Sequence, residues 1–270
     1  MPDFSYSLNS STIRTTPILR KIEVAAKAGY AGIELWHDDI DAHIQAGGTL
    51  QDVRKCVDDH GLLVPTTIHM KDWFQPAGAE HQAALDIARR KLEQAAAVGA
   101  KHTVAGPPHG RADRELGKRH YHELLELGAT FGVRPAFEYL GFVEDLKTID
   151  DAIEIIEGSA HPAACLVLDP FHCYVGGGGM ESIARLNADQ VAISHFNDAP
   201  ADPPPQTQRD PDRVMPGDGA MDLKRYCDLL RQIQYSGFLS LELFRPDLWE
   251  QDPLQVAIQG LEKMRTVAEA

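Results

Sequence analysis

Residues 131–139 read Phe131-Gly132-Val133-Arg134-Pro135-Ala136-Phe137-Glu138-Tyr139. The stretch closes a segment of helical period with a glycine, enters a short apolar run and interrupts that run with a carboxylate at its end. A glycine followed by a hydrophobic residue fits a left-handed helix cap that turns the chain into a strand. The same phrase recurs as Ala28-Gly29-Tyr30, His60-Gly61-Leu62, Val98-Gly99-Ala100 and Ser236-Gly237-Phe238. A helix-to-strand turn repeated along a chain implies β-α units and a parallel sheet.

Working outward, the apolar runs predict strands over 4–8, 32–36, 64–69, 102–105, 134–139, 164–168, 191–196 and 238–243. Their apolar density suits strands buried on both faces. Residues spaced by three and four predict helices over 18–28, 49–60, 79–98, 115–131, 149–157, 183–186 and 223–233, with a last helix over 254–267 closing the ring outside. Eight such units in 270 residues predict an α/β fold, a (β/α)8 TIM barrel forming one domain over 1–270. Residues 199–216 carry six prolines after the seventh strand and read as an ordered functional loop, not a boundary. The run Gly176 to Gly179 lacks the lysine and hydroxyl of a phosphate loop and reads as a turn.

Hydrophobic residues make up 43% and charged residues 24% of the chain, an ordinary globular composition. A formal charge of −14 repels phosphate backbones, so no nucleic-acid partner is expected. The four cysteines lack C-x-x-C spacing, which argues against a zinc ribbon. The amino terminus has no secretion-signal pattern and no apolar run is long enough to span a membrane, so a cytoplasmic location without membrane association is expected.

In a parallel barrel the active site forms at the carboxyl ends of the strands. Polar residues interrupt four consecutive strand ends: Glu138, Asp169 in Leu168-Asp169-Pro170-Phe171-His172, His195 in His195-Phe196-Asn197-Asp198, and Glu242 in Leu241-Glu242-Leu243-Phe244. One acidic residue so placed commonly caps the next helix, but four on successive strands form a set. Buried unpaired carboxylates would cost several kcal/mol each, by the general penalty for interior charge. One divalent metal ion removes that penalty, so Glu138, Asp169, His195 and Glu242 are the expected ligands. Oxygen and imidazole donors without thiolate suit Mn2+, Mg2+, Co2+ or Zn2+, among which spacing alone does not choose; Mn2+ is the ion expected first. Asn9, Glu34, Trp36, His37, His69, Lys71 and His109, also at strand ends, are candidates for a pocket wall.

With these motifs in view, the sequence resembles the xylose isomerase-like superfamily of TIM barrels over nearly its whole length. The resemblance is to its sugar isomerases and ketose 3-epimerases, to inosose dehydratases and, more distantly, to abasic-site endonucleases of the same barrel. It rests on Glu138, Asp169-Pro170-Phe171-His172, His195-Phe196-Asn197-Asp198, the run Asp212-Arg213-Val214-Met215-Pro216-Gly217-Asp218-Gly219, and Glu242. Here a proline-rich insertion separates the Asp-Arg run from His195, a departure from the family pattern. The resemblance implies that Glu138 and Glu242 are the catalytic acid/base pair as well as metal ligands. It implies substrate contacts from His172, Arg213 and Glu144, and the pocket reading adds His69, Trp36 and Asn9. The expected activity is a metal-dependent isomerase or epimerase of a sugar-like polyol ketone, acting through an enediolate. The alternative is a hydro-lyase of an inosose or dehydroshikimate type. The partners implied are a small sugar-like substrate and a second copy of the chain in a homo-oligomer. A barrel that binds without catalysis is the opposing reading; the intact quartet argues against it.

Overall fold

The computed structural model describes residues 4–270, so the first three residues of the expected domain lie outside the described residues. Eight strands form a closed parallel barrel in sequence order: β1 (Ser5–Asn9), β2 (Gly32–Trp36), β3 (Thr66–Met70), β4 (His102–Ala105), β5 (Arg134–Glu138), β6 (Leu166–Leu168), β7 (Val191–Phe196) and β8 (Phe238–Leu241). β8 closes on β1 with Ser7 opposite Ser240. This is a single-domain TIM barrel, as the β-α periodicity predicts. Around it run α1 (Ile18–Ala28), α2 (His37–Gln45), α3 (Leu50–Asp59), α4 (Ala79–Ala97), α5 (Arg114–Ala129), α6 (Ile149–Gly158), α7 (Pro170–Gly176), α8 (Leu223–Gln232), α9 (Pro246–Trp249) and α10 (Pro253–Ala268). No helix among the described residues is long and apolar enough to cross a membrane.

Alternation along each strand sorts the side chains. Leu8, Ile33, Leu35, Phe137, Leu168, Phe196 and Leu241 join the core shared with the helices. The intervening Val104, Ala136, Val167 and Ile193 form a separate cluster with Ile68 and Cys165, drawn from strand segments alone, which fills the barrel interior. The same alternation turns Asn9, Glu34, Glu138, His195 and Glu242 inward at or just beyond the strand ends.

The differences from expectation have local causes. The sixth crossover is not a helix over 183–186 but α7 followed by a 3-10 turn over Glu181–Arg185. Pro170 presets the first turn of α7, and Gly177, at φ +76°, ends it, so the glycine run is a helix terminus. α2 buries a single apolar residue, Ile40, and the four-residue α9 buries none, so neither carries a readable period. Four of the five glycine phrases do cap helices with positive φ, but after α8 the left-handed residue is Gln234, at φ +61°. Gly237 serves close approach instead, because a Cβ there would sit 2.5 Å from the Tyr235 hydroxyl. Strand eight stops at Leu241, leaving Glu242 one residue beyond the ladder.

Helix α5 seats on β5 through Gly128, where an added Cβ would lie 2.4 Å from the Val133 carbonyl oxygen and 2.5 Å from Pro135. Gly128→Ala should therefore destabilise the fold by about 1–3 kcal/mol through overpacking, despite alanine's better helix propensity. Urea unfolding checks this, and a more stable variant would show that α5 does not seat this closely.

Candidate metal centre and active site

Glu138 ends β5, Asp169 follows β6, His195 lies in β7 and Glu242 follows β8. One donor atom from each falls within 4.8 Å of all the others, and all four residues are buried. The His195 Nδ1 atom is the common point: Glu138 Oε1 and Glu242 Oε2 are each 3.0 Å away and Asp169 Oδ2 is 3.6 Å away. That nitrogen makes no hydrogen bond in spite of this proximity. Three carboxylate oxygens and an imidazole nitrogen directed at one small volume are the donor set of a hard or borderline divalent cation.

Three of the four ligand candidates have supporting groups behind them. Asp169 caps α7, its Oδ1 accepting from the Phe171 amide at 2.8 Å and from Asn197 Nδ2 at 3.2 Å, which leaves Oδ2 facing the cluster. Glu242 is fixed through its backbone, because Thr12 Oγ1 donates to the Leu241 carbonyl at 2.8 Å and accepts from the Leu243 amide at 3.1 Å. Its Oε1 accepts from Asn9 Nδ2 at 3.0 Å. Behind His195 lies Glu34, fully buried and bonded to the Thr66 hydroxyl, its Oε2 3.5 Å from a His195 Nε2 that makes no hydrogen bond. A carboxylate on that side of a ligand histidine favours the tautomer that carries its proton on the far nitrogen.

Charge balance shapes this region. Arg213, 1% exposed, donates from Nη1 to Asp169 Oδ2 at 2.6 Å and Glu242 Oε2 at 3.1 Å, and from Nη2 to Asp210 Oδ1 at 2.9 Å. Its guanidinium lies over Phe171 at 4.6 Å and Phe244 at 5.5 Å. One arginine does not match the buried carboxylates. Burial pushes the Glu138 carboxyl up to about 7, with His195 pulling it back. Burial would also raise Asp169, but Arg213, His172 and His195 outweigh it and hold that carboxyl well below its ordinary range. Against the pull of burial, Glu242, Glu34 and Glu138 drive the His195 imidazole well above its usual range. The cluster calls for positive charge at its centre.

The cleft over this centre measures about 360 Å3 and is lined by Glu138, Glu242, His172, Arg213, Trp36 and Phe244, among others. His172 is buried and its Nε2 lies 3.2 Å from Arg213 Nη2, so the histidine and arginine expected to contact substrate stand together. Trp36 packs edge to face on His69 and Phe244 at 5.6 and 5.8 Å, placing both aromatic residues and His69 on one wall. Asn9 is a correction: it is fully buried, its Nδ2 bonds Glu34 and Glu242, and its Oδ1 accepts from Ser11 and Trp36. With its polar atoms so used it supports Glu242 rather than meeting substrate. Glu144 is also corrected, because its side chain is 54% exposed, pairs with Arg111 at 3.2 Å and is absent from the cleft. The Glu144 amide still bonds the carbonyl of His109 at the cleft rim, at 3.2 Å, but its side chain is turned away to Arg111. His37 is a core group bonded to Gln94 and Thr103. Sequence reasoning missed Arg14, Asp210 and Phe244 as cleft residues; Phe244 alone carried a signal, two positions beyond Glu242 in the alternation.

The model of the xylose isomerase-like TIM barrel family matches residues 22–267. Among curated relatives, inosose isomerase of Halalkalibacterium halodurans is 34% identical over 129 residues, 47% of this chain and 45% of that one, so this alignment spans about half of either protein. Inosose isomerase of Bacillus velezensis is 25% identical over 251 residues, 89% of this chain and 88% of that one. A 3-dehydroshikimate dehydratase of Pseudomonas putida is 24% identical over 90% of this chain and 39% of its own length. Among solved structures, that of the IolI protein with a bound zinc atom superposes with a TM-score of 0.91, at 24% identity and 98% coverage of both chains.

A cation that binds the folded cluster stabilises it by mass action, about 2.7 kcal/mol at a hundred times the dissociation constant. Mn2+ should therefore raise the thermal midpoint of chelator-treated protein, and Glu242→Gln and His195→Ala should lose most of that increment. Equal increments in all three proteins would place the cation elsewhere.

Proposed function

Because the chain belongs to the xylose isomerase-like TIM barrel family, we propose that it is a divalent-metal-dependent isomerase or epimerase of a sugar-like polyol ketone. The observation that carries this reading is the convergence of Glu138, Asp169, His195 and Glu242 within 4.8 Å at the floor of a cleft. We assign these four as the ligands, with Mn2+ foremost and Mg2+, Co2+ or Zn2+ as alternatives; that the IolI structure, on the same fold, holds a zinc atom supports a divalent ion. When bound, the ion supplies Lewis-acid stabilisation of negative charge developing on the substrate's carbonyl oxygen.

The protein's own residues supply the rest. Glu138 and Glu242 both open onto the cleft, so either carboxylate can take a proton from carbon beside the carbonyl and the other can return one. Return to the same carbon from the other side epimerises it; return to the former carbonyl carbon, with the neighbouring hydroxyl proton passing to the former carbonyl oxygen, isomerises the ketone. Arg213 and His172 sit together where substrate oxygens would lie and orient them. Trp36 and Phe244, packed edge to face, form an apolar part of the cleft wall against which carbon–hydrogen surface of the substrate would lie.

A second reading is a hydro-lyase, favoured by the dehydratase relative that matches 90% of this chain. The same proton abstraction precedes expulsion of a β-hydroxyl as water, so product mass separates the two. Metal-loaded protein incubated in D2O with ketoses and inososes should place deuterium beside the carbonyl without loss of mass. Glu138→Gln and Glu242→Gln should slow turnover about 10²–10⁴-fold. A product lighter by one water supports the hydro-lyase, and neither exchange nor product across the panel would overturn both.

A further inference from the structure

The cleft has two compartments. The inner one is lined by both assigned acid/base groups, Glu138 and Glu242, and by His172 and Arg213. The outer one, about 570 Å3, is lined by Phe74, Gln75, Pro76, Pro107, Pro108 and Glu80 together with shared residues, and none of the four candidate ligands reaches it. His69, Lys71, Gly106, His109 and Leu140 line both, so the two cavities adjoin along these residues. The inner volume alone already falls within the range of small-molecule sites, ~300–1000 Å3. A single ring held against Glu138 and Glu242 therefore leaves the larger compartment to a different part of the ligand.

The outer walls are built for contact. Phe74 is buried, backed by Trp73 and Phe137 at 5.3 and 6.0 Å between ring centroids, and gives a fixed apolar floor. Three prolines stiffen the rim, and Lys71, Gln75 and His109 bring polar groups to it. Asp72 and Glu80 stand in the same lining as Lys71, so the compartment carries no excess positive charge and does not suit a phosphate. Apolar faces with a few polar groups match a neutral hydroxylated ring.

We propose that the outer compartment is a second subsite for a neutral hydroxylated ring attached to the reacting polyol ketone, so that the substrate is a glycosylated ketone rather than a free monosaccharide. The assignment rests on the reading of the inner compartment for the substrate's orientation. Gly106 stands at the junction, and a Cβ there would meet the His69 ring at 3.5 Å, an ordinary contact, so a side chain fits the fold while a long one obstructs the passage. Pro108 lines the outer compartment alone.

The test is calorimetric binding to Mn2+-loaded protein of fructose, of the glucosyl-fructoses turanose, maltulose, leucrose and isomaltulose, and of fructose 6-phosphate. At least one disaccharide should bind about tenfold more tightly than fructose, and Gly106→Leu and Pro108→Trp should bring that ratio toward one. The proposal is overturned if no disaccharide binds better than fructose, including the case in which none binds, if fructose 6-phosphate binds best, or if both folded variants keep the ratio. Deuterium exchange in the same ligands reads the inner site separately. Exchange without a disaccharide preference sinks the subsite and leaves the proposed reaction standing; a preference without exchange does the reverse.

Discussion

Four carboxylates surround one imidazole in the mouth of this barrel, and the cost of keeping them out of water governs how the neighbouring chain is built. Glu138, Asp169, Glu242 and Glu34 are all buried near His195. Buried charge persists only where partners and hydrogen bonds offset desolvation. Arg213 offsets part of it through Asp169 and Glu242, and backbone and amide donors satisfy the outward oxygens of Asp169 and Glu242. What remains is an excess of negative charge focused on His195 Nδ1, which selects for a cation there.

The proline-rich segment after β7 is explained by the same requirement. Arg213 must reach the cluster from a loop, and a loop able to place a guanidinium must itself be fixed. Asp198 does this with both carboxylate oxygens: Oδ2 accepts from the Gly217 and Gly219 amides at 3.0 Å each, and Oδ1 from Ala199 at 2.8 Å and Met221 at 3.1 Å. Gln208, fully buried, ties its amide to the Pro200 and Pro203 carbonyls. Asp198 and Val214 pair across the base of the loop. The insertion thus lengthens the path from His195 to Arg213 without loosening its end.

The barrel and the quartet were legible because both follow from period. Alternation of two along a strand places Ala136 and Glu138 on one face, and a glycine at the helix end locates where each strand begins. The rest depended on distances that period does not encode. Asn9 reads as one more polar residue at a strand end; only the closing of β8 on β1 brings it beside Glu242. Glu34 reads equally as a pocket residue or a buried core group, and its place behind His195 appears when β2 and β7 face each other across the interior. Glu144 failed for the converse reason, since nearness in sequence to Glu138 does not survive a strand end, after which the Glu144 side chain turns away to Arg111.

The division of labour around the ring bears on how one barrel serves more than one reaction. The four candidate ligands and both assigned acid/base groups come from β5 to β8, with Arg213 from the loop between the last two. Asp169 is locked by its cap on α7, Glu242 by Thr12 on either side of it and the Arg213 loop by Asp198 beneath it, so none of these three can move without unsatisfying a buried group. Trp36, His69, Lys71, Gly106 and His109 come from β2 to β4 and the segments that follow them, where Lys71 and His109 are exposed and carry no comparable constraint. Chemistry fixed in one half and walls set by the other let the walls change while the proton-transfer geometry persists. Relatives that bear isomerase and dehydratase names fit that arrangement: under the proposed reaction, the shape of the wall would decide which substituent lies next to the carbanionic carbon and so whether a proton returns or a hydroxyl leaves.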